Sequence, residues 1–179
     1  QLTLLAEGGG FSTARGSAML SGLLGRFDYS AAAAYFETAG QGVNDGFLNR
    51  TLSGNFGWRF SETNQVRLAV RNNTSDAGIA GQTLLVPPDH EQHDSLHNFS
   101  ANLSAECATG EHWRHRLAGN EAYNRQLFDN PISDFCFTSA PFFCDFPFTA
   151  RNQFNRAGFA EQSSYLFRQG AVTAGYQYE

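Results

Sequence analysis

Apolar and polar side chains alternate with period two along most of the chain, the pattern of strands whose two faces meet different surroundings. Between Phe47 and Phe60, Leu48, Leu52, Phe56, Trp58 and Phe60 fall on one face, and Asn49, Thr51, Ser53, Asn55 and Arg59 on the other. The next segment sets Val66, Leu68 and Val70 against Arg67 and Arg71. The one after sets Phe99, Ala101 and Leu103 against Asn98, Ser100, Asn102 and Ser104. Near the C-terminus Val172, Ala174, Tyr176 and Tyr178 oppose Thr173, Gly175 and Gln177. The spacing predicts about nine strands, near residues 2–9, 12–23, 26–38, 47–60, 64–75, 95–106, 111–125, 154–167 and 170–179.

The connections alternate in length. Leu24-Gly25, Ser61-Glu62-Thr63, Ala108-Thr109-Gly110 and Arg168-Gln169 are tight turns, whereas 39–46, 76–94 and 126–153 are longer loops. Gly8-Gly9-Gly10 makes the one short connection on the long-loop side. Short turns at one end and long loops at the other are expected of a transmembrane β-barrel; a soluble sandwich has no reason to sort its loops this way.

Aromatic placement fits the same architecture. Phe27, Tyr29, Trp58, Phe60, Trp113, Tyr165 and Phe167 lie within a few residues of a tight turn, while Tyr35 and Tyr123 lie toward the long loops. Trp113 and Tyr123 are ten residues apart on one face, roughly 34 Å of strand at about 3.4 Å per residue. A tilt of about 40° reduces that to roughly 26 Å of height, close to the apolar band of about 25 Å in such barrels. Glu161, His115 and Glu121 share the oily face, and either a bulge or a position above the bilayer would reconcile them with it.

Composition removes other classes. Hydrophobic residues make up 41% and mean hydropathy is −0.37, with no run of about 18 apolar residues, so no transmembrane helix is expected. Gly 18, Phe 17 and Tyr 6 against 16% charged residues favour strands and turns over helices. A net charge of −5, without a basic run interleaved with aromatics, argues against nucleic-acid binding. The opening Gln1-Leu2-Thr3-Leu4-Leu5-Ala6-Glu7 lacks the basic start of a signal peptide and reads as internal. No nucleophile elbow or phosphate-cradling glycine loop is found, so the chain is not read as an enzyme.

Gly25-Arg26-Phe27-Asp28-Tyr29-Ser30, Asn44-Asp45-Gly46-Phe47-Leu48 with Arg50-Thr51-Leu52-Ser53-Gly54, and Ala174-Gly175-Tyr176-Gln177-Tyr178-Glu179 together resemble TonB-dependent outer-membrane receptors of the cobalamin-receptor-like branch. The resemblance runs over essentially the whole chain, from where that family's barrel begins. It implies that residues 1–179 are part of a 22-stranded barrel in the bacterial outer membrane, surrounded by its lipid and filled by a plug domain. The implied activity is TonB-driven uptake of a small-molecule or metal-chelate ligand, a siderophore, cobalamin or similar. About nine strands cannot close such a barrel, and open edges in lipid cost several kcal/mol per unpaired group, so a longer receptor is expected.

Candidate sites cluster in the loops. Cys136 and Cys144 lie in the longest one, where an oxidising exterior permits a disulfide; two free thiols are the other reading. Phe135, Phe137, Phe142, Phe143 and Phe146 crowd the same loop, either as a small loop core or as a ligand-contacting lid. Asp89, His90, Glu91, His93, Asp94 and His97 read first as a solvated acidic loop. On a helical face His90, His93 and His97 would converge on a metal. The resemblance also implies calcium at Asn44, Asp45 and Asp76, although three side chains fall short of the six to eight oxygens calcium takes. Arg59, Arg67, Arg71, Arg114 and Arg116 are expected to line the lumen. Two rival functions stay open, a passive porin or structural barrel and a soluble β-sandwich binding module.

Overall fold

The computed structural model describes residues 1–81, 88–132 and 146–179. These residues form nine strands: β1 Leu2–Gly9, β2 Thr13–Leu24, β3 Phe27–Thr38, β4 Phe47–Arg59, β5 Gln65–Gly78, β6 His93–Thr109, β7 Trp113–Asn130, β8 Phe148–Phe167 and β9 Gly170–Tyr178. Each pairs antiparallel with its sequence neighbour, giving one sheet ordered β1 to β9 and open at β1 and β9. A sandwich needs two packed layers; among the described residues there is a single sheet.

Pairing is one-to-one along all eight interfaces, so the alternation of each strand is carried across the sheet. One face gathers Leu4, Leu20, Phe27, Ala33, Leu52, Phe56, Val70, Leu103, Phe159 and Tyr176. The opposite face gathers Ser30, Thr51, Asn73, Ser100, Asn124 and Gln162. No hydrophobic residue among those described is buried. The accessible surface is 12374 Å², whereas a compact soluble protein of this mass exposes about 8,600 Å². The excess lies in a two-sided sheet whose apolar face has nothing packed on it.

Turns sort as the sequence predicts, with two corrections. Gly25 and Gly110 take left-handed φ of 61° and 64° in their tight turns, where a Cβ would be strained. In the β1–β2 connection, however, the left-handed residues are Phe11 and Ser12, at 56° and 54°, and not the glycines. Gly8 and Gly9 belong to β1. The second correction concerns length: β6 begins at His93, β7 runs to Asn130 and β8 starts at Phe148, so these strands overrun their expected bounds toward the loops.

The turn end carries an aromatic cluster. Phe27 stacks on Tyr29 and Phe56 at 5.8 and 6.4 Å and lies 6.0 Å from Trp58, while Trp113 meets Tyr165 edge-on at 5.1 Å. Adjacent turns are tied together, with Arg26 Nη1 donating to the Phe60 carbonyl at 2.6 Å and Asn64 Oδ1 accepting from the Ala108 amide at 2.7 Å.

Candidate functional site

At the loop end, the 39–46 connection is fastened to the base of the β5–β6 loop. Asn44, left-handed at φ 49°, donates through Nδ2 to the carbonyls of Ile79 at 3.2 Å and Gln92 at 2.7 Å. A side chain on Gly78 would collide with Asn44, so the close approach depends on that glycine. Asp89 is buried and caps the turn into β6, its Oδ1 accepting from the Glu91 and Gln92 amides at 2.9 and 2.7 Å. Beside them lies an open depression of about 450 Å³ bordered by Glu37, Asn44, Asp76, His90, Glu91 and His93. Asn44 and Asp89 are anchors that only their residue types hinted at, through the Asn and Asp preference for left-handed and capping positions.

The proposed metal ligands are not brought together. Among the described residues no group of three or more His, Cys, Asp or Glu is placed to hold a metal ion. From His93 onward the segment is strand, so His93 and His97 share a face but stand about 13 Å apart along it instead of one helical turn. His97 is engaged by Asn72 Oδ1 at 2.7 Å and stands edge-on to Tyr123. The calcium set is occupied elsewhere as well: Asn44 holds the two carbonyls, Asp45 Oδ2 accepts from the Gln41 amide at 3.3 Å, and Asp76 accepts the Ser95 hydroxyl. Cys136, Cys144, Phe135, Phe137, Phe142 and Phe143 lie outside the described residues. Phe146 is exposed, and its carbonyl accepts from Asn130 Nδ2 at 3.5 Å.

The polar face is organised by cross-strand hydrogen bonds. Arg67 pairs with Asp28 at 2.8 Å and with Asn55 Oδ1 at 2.6 Å, Asn73 Nδ2 donates to Thr51 at 2.8 Å, and Gln126 donates to Asp94 at 2.8 Å. Register places Arg59, Arg67, Arg71, Arg114 and Arg116 all on this face. A cavity of about 500 Å³ opens at its turn end between Arg59, Gln65, Glu106, Arg114, Arg116 and Gln162.

Toward the turn end the apolar face carries a polar chain. His115 Nδ1 lies 2.8 Å from Ser163 Oγ, and Ser163 donates to Glu161. The serine stands between imidazole and carboxylate, so no acid orients the base as a nucleophile–base–acid triad requires. β8 pairs without a bulge, so Glu161 shares the face of Phe159 and Tyr165 by register and not through a local slip.

Neither a protein-family model, nor a curated protein, nor a solved structure matches the chain.

Proposed function

We propose that the chain forms part of the wall of a TonB-dependent outer-membrane receptor that takes up a bulky nutrient, such as a siderophore or cobalamin, at the expense of the proton motive force. The observation that carries this reading is the nine-strand sheet with one predominantly apolar face exposed and no buried hydrophobic core among the described residues. Water does not tolerate so large an apolar face, whereas lipid covers it without cost. Turn-end aromatics fit the headgroup level of one leaflet, and the arginine- and asparagine-lined face fits a lumen holding a polar plug. The loop-end platform around Asn44 and Asp89 then borders the ligand entrance. The cobalamin-receptor-like motifs supply the energy-coupled part of the reading; the sheet alone suits a passive porin equally well.

The test is uptake of radiolabelled cyanocobalamin and ferric siderophores by cells carrying the full-length gene, with and without TonB. Accumulation of one ligand that collapses on removing TonB supports the receptor. Accumulation indifferent to TonB makes the protein a passive porin, and recovery of the product in the soluble fraction ends both membrane readings.

A further inference from the structure

On the apolar face, the border nearest the loops is cationic. Register sets Tyr35, Arg50, Thr74, His97 and Arg125 abreast on β3 to β7. Arg50, Thr74, His97 and Arg125 line a groove of about 340 Å³. The Arg50 guanidinium sits over the Tyr35 ring at 5.9 Å, and His97 is fixed by Asn72. Among the described residues neither arginine forms an ion pair with a carboxylate. Asp76 borders the groove one register step toward the loops, where Ser95 donates to its carboxylate.

One step the other way the charged groups end. Ala33, Leu52, Asn72 and Phe99 occupy the neighbouring row, with Asn72 turned to His97, and beneath them runs a second groove of about 400 Å³ lined by Ala18, Leu20, Ala31, Ala33, Leu52 and Phe99. Alanines on β2 and β3 between larger side chains leave a trough on the sheet surface. An apolar trough therefore leads straight into a two-arginine border.

We propose that these two grooves form one lipid site, in which Arg50, His97 and Arg125 hold a headgroup bearing more than one phosphate and the alanine trough takes an acyl chain. The proposal rests on the membrane-wall reading. Guanidinium forks match phosphate oxygens bidentately. The strands carrying Arg50 and Arg125 are three spacings apart, about 14 Å, which is wider than a single phosphate and favours a headgroup that presents two. Free phosphate shares the charge but offers nothing to the trough.

The test uses the full-length gene product in phosphatidylethanolamine vesicles, titrated with diphosphorylated lipid A, with its dephosphorylated form, and with inorganic phosphate. The diphosphorylated lipid is expected to bind at least about tenfold more tightly than the dephosphorylated one. Arg50→Gln with Arg125→Gln removes that preference, whereas Arg50→Lys with Arg125→Lys keeps part of it. Ala33→Leu, which fills the trough, weakens both lipids and leaves their ratio unchanged. Equal binding of the two lipids, a preference that survives the double glutamine variant, or inorganic phosphate binding as tightly as lipid overturns the site. Flotation of the same samples separates the two readings. Protein that floats with the vesicles without headgroup preference sinks only the lipid site, and protein that does not float sinks the wall as well.

Discussion

Arg67 on β5 reaches Asp28 on β3 at 2.8 and 3.0 Å by passing directly over Gly57 of the intervening β4. A Cβ built on Gly57 would lie inside contact distance of both the Asp28 carboxylate and the Arg67 guanidinium. The glycine is a window for an ion pair between second-neighbour strands. Gly57→Ala is expected to destabilise the folded protein by no more than about 1 kcal/mol, because it displaces the ends of two flexible side chains and so costs chiefly their half-exposed ion pair. Denaturant titration of the full-length protein reads the effect. In an Asp28→Ser background most of the penalty should vanish, and an undiminished penalty would mean that the pair is not what the alanine strikes.

Asn44 joins two loops through one amide. Asn44→Gly keeps the left-handed backbone but loses both hydrogen bonds, about 1 kcal/mol each. Asn44→Ala also strains the turn by roughly 1–2 kcal/mol. Proteolysis within residues 39–46 should therefore accelerate in the order Asn44, Gly, Ala. Equal rates for all three would show that the loop is held by something other than this side chain.

Trp58 and Trp113 are the two tryptophans of this chain, and both sit on the apolar face at the turn end. In a full-length form that retains only these two, lipids brominated near the headgroup should quench their fluorescence more strongly than lipids brominated at the chain end. Stronger quenching from the chain end would move the aromatic cluster out of the interface.

Glu161 lies four residues from Tyr165 on the same face, about 14 Å along the strand and roughly 10 Å in depth. Glu161→Leu is expected to stabilise the protein in bilayers by roughly 1–2 kcal/mol, because a carboxyl in the apolar band is worth less than the leucine that replaces it. Destabilisation would indicate that the carboxylate of Glu161 serves a purpose that lipid does not explain.

Strand positions were legible because lipid-like and water-like faces alternate with the period of the pleat itself: Val66, Leu68 and Val70 against Arg67 and Arg71 leave little choice. Legibility failed where that contrast fades. Beyond Tyr123 the seventh strand continues through Arg125-Gln126-Leu127-Phe128-Asp129-Asn130, where polar side chains fall on both faces and hydropathy carries no period. The β1–β2 turn misled for another reason. Glycine marks backbone freedom, yet the freedom offered by Gly8 and Gly9 is not used, and Phe11 and Ser12 take the left-handed positions. The rows joining Arg50 to Arg125 and Asp28 to Arg67 were beyond reach, because they depend on register, which the turns fix and a single strand's pattern does not. The histidine cluster failed by period: a spacing of four closes a helical turn but spreads a strand.

Every pairing in the sheet is antiparallel, so all odd-numbered strands point one way, and the two open edges, β1 and β9, are both odd. Brought together, they would meet as a parallel seam. A second copy related by rotation about the cylinder axis would present the same mismatch at both of its seams. Closing this wall with antiparallel pairs throughout requires an odd number of further strands between β9 and β1, and the completed cylinder then has an even count. Strand direction therefore excludes a dimer related by rotation about the cylinder axis as an all-antiparallel barrel.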